Sequence, residues 1–215
     1  MAPNVLKARL SAGLAVLAWA TLALQLALSL RLAADNGRGM AMGVVIYFGF
    51  FTILSNGLAA LALTLPRLRP ASPAGRFFAR PGVNTAIAAY LALVGIAYSL
   101  LLRRIWNPQG LQLVVDHLLH DAMPLAFLAY WWFAVRKRDV IWSDIPYWLI
   151  FPVVYFALTL ARGALTGLYP YPFVDAAALG VAQAVINALC VLVGLFMIAA
   201  ALVGLGRWQE RRHYA

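Results

Sequence analysis

Four ionisable side chains fall within six residues of an otherwise apolar stretch: Asp116, His117, His120 and Asp121, in VDHLLHDAMP. Residues three or four apart share one face of a helix. Asp116 therefore aligns with His120, and His117 with Asp121. An imidazole one turn from a carboxylate suits three kinds of chemistry. The His can act as a general base held in place by the Asp. Asp116, His117, His120 and Asp121 together can ligate a transition metal. The same groups can relay protons in a small transporter. A second polar set lies upstream in FFTILSN, where Thr52 and Asn56 are one turn apart and Ser55 lies beside them. A Thr hydroxyl becomes a nucleophile when a base takes its proton, and an Asn amide can donate to a developing oxyanion. Quieter roles are also open. A Thr within a membrane bonds its own helix at i−4. Ser55, Asn56 and the pair Gln183 and Asn187 can hold helices together, and Gln25 is the one amide in the first apolar block.

The elements that position these groups follow from composition. The chain has 215 residues, 64% hydrophobic and 11% charged, whereas soluble domains run at about 45–50% apolar and about 25% charged. No soluble domain of this size has an interior that could hide so much apolar surface. A bilayer span needs roughly 20 apolar residues. Six blocks qualify: Leu10–Leu30, Met40–Leu65, Val83–Leu102, Leu111–Val135, Ile145–Ala161 and Ala176–Leu205. They are continuously apolar and too long for barrel strands, so helices are predicted. Pro146 and Pro152 predict a kink or a late start in the fifth. The expected fold is an all-α polytopic membrane protein forming a single domain over residues 1–215. The first block is about twice as long as the usual 7–15-residue signal core, so it is read as a retained helix.

Charge gives the orientation. The N-terminus, the 66–82 loop, the 136–144 loop and the C-terminus carry 2, 4, 3 and 3 Lys/Arg, against 2, 2 and 1 in the 31–39, 103–110 and 162–175 loops. The first set, and with it both termini, is predicted to be cytoplasmic. The net charge of +10 is then a signal of orientation and of lipid headgroups as partners. Trp106, Trp142, Trp148, Trp208, Tyr169 and Tyr171 sit near predicted helix ends, as interfacial aromatics do. No basic run is long or aromatic-interleaved enough to argue for nucleic acid. The Pro/Arg-rich Pro66–Pro81 connector reads as flexible. Cys190 is the only cysteine, so there is no disulfide framework; its apolar surroundings predict a buried, inert thiol. No cofactor motif is present. On this topology the second and fourth blocks enter from outside. Thr52 then lies about 18 Å deep and His120 about 12–15 Å, at 1.5 Å per residue.

FFTILSN followed by DHLLHDAMPL resembles the androgen-induced and androgen-dependent membrane hydrolases and their small bacterial six-span relatives, across most of the chain in length, span number and motif order. The resemblance implies an intramembrane threonine hydrolase acting on fatty acid esters of hydroxy fatty acids or similar lipid-like esters, in a bacterial cytoplasmic membrane. It implies Thr52 as nucleophile and His120 as its base. The animal pattern opens its second motif with Asn-His and has small polar residues after the second His. This chain has Asp116-His117, and Asp121 after His120. Asp116 is the expected partner of the imidazole and Asn56 the expected oxyanion donor. The apolar walls suit an acyl chain entering from the bilayer. A metal-binding protein built on the Asp-His set and a proton-coupled transporter are the competing readings, and six short spans show no inverted repeat of the transporter kind.

Overall fold

The computed structural model describes residues 3–213, with side chains over residues 9–212. Its described residues form helices and connecting turns. The main helices are α1 (Pro3–Asp35), α2 (Gly39–Phe48), α3 (Phe51–Leu68), α4 (Pro73–Phe78), α5 (Pro81–Ala97), α6 (Leu111–His117), α7 (Met123–Ala134), α8 (Ile145–Thr166), α9 (Ala176–Leu179) and α10 (Val181–His213). Among the described residues five stretches are long and apolar enough to cross a membrane: Arg9–Asp35, Phe51–Leu68, Pro81–Leu102, Trp142–Thr166 and Val181–Arg212. Large apolar side chains cover their outer faces, among them Leu158, Leu165, Val193 and Met197. That is the pattern of an integral membrane protein, whose lipid solvates what a soluble protein must bury.

The second apolar block differs from expectation. It is two helices, because the chain breaks at Gly49 and Phe50. Phe50 takes an extended conformation (φ −92°, ψ 129°), so α3 starts afresh at Phe51. The fourth block does run from Leu111 to Ala134, but its middle, Leu118–Ala122, is a π turn between α6 and α7. Pro124 supplies the cause. It has no N–H for the carbonyl of His120, four residues back, and its ring crowds that oxygen, so the helix widens there. A second π turn, Tyr98–Leu102, ends α5.

Four further expectations change. The fifth block runs from Ile145 to Thr166, with Pro146 in its first turn, where a proline is tolerated, and Pro152 inside it. The sixth opens as the short α9 and restarts after Gly180, whose φ of 80° suits glycine. The 66–81 connector is not structureless: Ser72 accepts from the Gly75 N–H and caps α4. Cys190 is exposed on the outer face of α10 rather than buried.

Helix α5 is the hub, packed against α3, α7, α8 and α10. Small residues make this possible. Ala59 and Ala62 on α3 and Ala86, Ala88 and Ala89 on α5 are almost wholly buried, so backbones approach closely. Gly95 serves the same end nearer the π turns: a Cβ there would lie 3.2 Å from the His120 carbonyl oxygen. Helix α1 forms a hairpin with α2 and also packs on α3. The Tyr47 hydroxyl donates to the Leu22 carbonyl at 2.9 Å across that hairpin.

Candidate active site

Thr52 is the second residue of α3. The first N–H groups of a helix have no partner within it. The Thr52 N–H donates instead to the Tyr171 hydroxyl at 3.4 Å. The Thr52 side chain points the same way, with Oγ1 3.4 Å from the Tyr171 hydroxyl and 3.3 Å from His120 Nε2. Thr52 and His120 are 68 residues apart in the chain, and the break before Phe51 and the π turn around His120 bring them together.

The other nitrogen of His120 fixes its state. Nδ1 lies 2.9 Å from the Asp116 carbonyl oxygen and 3.3 Å from the Asp116 carboxylate. Both are acceptors, so Nδ1 carries the proton and Nε2 presents its lone pair to the Thr52 hydroxyl. Asp116 is itself held, because the Tyr98 hydroxyl donates to its Oδ2. The Tyr98 ring lies over the imidazole, with centroids 4.0 Å apart and planes 16° apart. Hydroxyl, imidazole and carboxylate thus follow one another as in a nucleophile–base–orienter unit. Thr52 and Asp116 are buried, at 6% and 3% exposure.

Asn56 sits elsewhere. Its amide donates to the Thr52 carbonyl at 2.9 Å and, less closely, to the Leu119 carbonyl at 3.4 Å. This ties α3 to the π turn below the site and leaves the amide directed away from the Thr52 hydroxyl. The group that does face Thr52 is Tyr171. By sequence it is one more interfacial aromatic, since nothing in a loop tyrosine 119 residues away signals a contact with Thr52. Its loop is anchored by Asn187, whose amide donates to the Phe173 carbonyl at 2.8 Å. Burial raises the Tyr171 hydroxyl above the ordinary phenol range, which keeps it a donor.

The ionisable cluster does not converge. Successive helix residues are turned by about 100°, so His117 and Asp121 lie on a different face from Asp116 and His120. His117 Nδ1 is 2.8 Å from Asp121 Oδ2, and Arg103 pairs with the other Asp121 oxygen. A cavity of about 290 Å³ opens in front of Thr52 and His120, and neither His117 nor Asp121 lines it. Asp116, His117, His120 and Asp121 therefore do not form the one metal-ligand set that the sequence offers: among the described residues no three His, Cys, Asp or Glu side chains converge as a metal ion would require.

The walls of this cavity are mostly apolar, with Tyr47, Phe50 and Leu119 among them, and the 103–110 and 167–175 loops contribute Trp106 and Pro170. One wall is polar: Gln112 donates to Gln25 at 2.9 Å, and Gln25 to Ser29 at 3.2 Å. A small-molecule pocket has this make-up, apolar over most of its wall with a few placed polar groups. Set against protein-family models, curated proteins and solved structures, the chain matches none.

Proposed function

We propose that the chain is an intramembrane threonine hydrolase that cleaves lipid-like esters. The observation that carries this reading is the 3.3 Å approach of Thr52 Oγ1 to His120 Nε2 at the wall of a largely apolar cavity. The Asp116 contacts to the far side of the imidazole support it. So does the resemblance of the FFTILSN and DHLLHDAMPL segments to the androgen-induced and androgen-dependent membrane hydrolases.

The reaction runs in two halves. In the first, Thr52 Oγ1 attacks the ester carbonyl carbon while its proton passes to His120 Nε2. Negative charge develops on the carbonyl oxygen. The Tyr171 hydroxyl and the Thr52 N–H are the donors nearest to it, and the positive end of the α3 dipole adds to their effect. The carbon–oxygen bond to the alcohol breaks, and His120 returns the proton to the leaving oxygen. In the second half, water attacks the threonyl ester and gives its proton to His120. The acid leaves, and the proton goes back to Thr52. Asp116 and Tyr98 hold the imidazole throughout; they move no proton.

The membrane arrangement belongs to the same proposal. The segment Leu111–Ala134, with α6, its π turn and α7 contributing 7, 5 and 12 residues, is long enough to cross about 30 Å of hydrocarbon. Counted with the five long helices, it makes six crossings. The Lys/Arg distribution then puts both termini in the cytoplasm and the cavity mouth on the opposite side.

Alanine substitution tests the mechanism. Members of one proton-transfer unit are non-additive. Thr52→Ala and His120→Ala are each expected to abolish labelling by a fluorophosphonate and hydrolysis of lipid esters. The double variant should be no worse than either single one. Ester hydrolysis at the full rate by purified Thr52→Ala protein would remove Thr52 from the mechanism.

A further inference from the structure

Thr52 and His120 face two cavities, not one. Behind the larger cavity is a smaller one of about 40 Å³, and Thr52, Tyr98, His120 and Tyr171 line both. The two differ in chemistry. The larger holds the Gln112–Gln25–Ser29 chain of hydrogen bonds. The smaller is walled, beyond the shared residues, by groups such as Leu93, Val94, Ala97, Phe156 and Val191. Its tyrosine, Tyr155, donates its hydroxyl away to the Gly49 carbonyl at 3.0 Å.

The smaller cavity is also stopped at one end. Phe51, on its wall, packs against Tyr155, Phe151 and Tyr90 with ring centroids 5.1, 5.4 and 6.0 Å apart. On the far side of Tyr90 and Phe151 is another cavity of about 690 Å³, which this aromatic cluster separates from the site. One water molecule needs roughly 10–15 Å³ of such space, so about 40 Å³ holds two to four heavy atoms.

The geometry points to a substrate class: an ester of a short acyl group, acetyl to butyryl, with a larger uncharged alcohol. This rests on the threonine hydrolase reading and narrows it. The ester carbon must reach Thr52 Oγ1, where the two cavities meet, so its two halves lie on opposite sides. The short acyl chain fills the small apolar cavity. The bulkier alcohol fills the larger one, where the neutral amides of Gln25 and Gln112 bond its hydroxyl or ether oxygens. Among the described residues no Lys or Arg lines that cavity, and the one carboxylate on its wall is Asp116. An acidic alcohol half would bring a second negative charge beside Asp116 with no cation to offset it.

The test varies the acyl chain on one alcohol. Full-length protein in lipid nanodiscs is assayed on p-nitrophenyl acetate, butyrate, octanoate and palmitate, with the Thr52→Ala rate subtracted. A pocket discriminates one methylene by roughly 10–200-fold at best. The expected result is that kcat/KM falls at least about tenfold between butyrate and octanoate. Phe51→Ala, which removes the ring stopping the small cavity, should move the preference toward octanoate. Octanoate or palmitate turned over by the native protein as fast as butyrate would overturn the short-acyl assignment and leave the hydrolase reading standing. No Thr52-dependent turnover of any ester would overturn both.

Discussion

Among single residues, Tyr171 separates this site from a bare Thr–His pair. Its hydroxyl is 3.4 Å from both the backbone nitrogen and the side-chain oxygen of Thr52, and burial keeps it protonated. If it stabilises the oxyanion, its removal acts on the transition state rather than on substrate binding. Tyr171→Phe keeps the ring that stacks on Phe173 and deletes only the hydroxyl. The expected outcome is a fall in kcat of about 10²-fold with KM little changed, as for loss of one oxyanion donor. Steady-state kinetics on a soluble ester checks it, and an unchanged kcat would return the oxyanion to other donors. Thr52, His120 and Asp116 were legible in the sequence because polar groups are costly in an apolar block and therefore stand out. Tyr98 and Tyr171 were not. Tyrosine is common near helix ends in membranes, so its type carries no signal, and only the fold brings these two to His120 and Thr52.

At the scale of elements, the site is made by irregular helix. A straight second block would give the Thr52 N–H to a carbonyl of its own helix; the break at Phe50 frees it for Tyr171. An unbroken α-helix from Leu111 to Ala134 would turn His120 relative to α7; the π turn sets it over Asp116 and toward α3. The positions of the apolar blocks were readable from hydropathy, but these irregularities were not, because hydropathy reports burial and not hydrogen-bond register. Pro124 offers a way to test their role. Pro124→Ala restores an N–H for the His120 carbonyl and favours regular helix by up to about 3 kcal/mol. The expected outcome is an unfolding midpoint as high as that of the native protein or higher, with at least about a tenfold loss of ester hydrolysis, the usual opposition of stability and activity where a site depends on irregular backbone. Thermal unfolding and kinetics on the same preparation check it. Full activity would show that the π turn is not needed.

For the whole molecule, the proposed topology puts the cavity mouth and both termini on opposite sides of the membrane. The 103–110 and 167–175 loops at the mouth carry few Lys/Arg, and the 66–82 loop at the other end carries 4. Reporter fusions after Asn107 and at Ala215 should report outside and inside respectively; the reverse pattern would invert the topology. A bundle of long apolar helices was accessible from composition, since it depends on summed hydropathy along the chain. The joining of Thr52 to His120 is a long-range contact, and composition carries no trace of it. Mapping a covalent adduct tests that contact most directly. Protein in nanodiscs is reacted with a fluorophosphonate, digested and sequenced by tandem mass spectrometry. The predicted result is a single added phosphonyl group on Thr52 Oγ1, absent from His120→Ala protein. An adduct on any other residue, or none from a preparation that still hydrolyses esters, would contradict a Thr52–His120 catalytic unit.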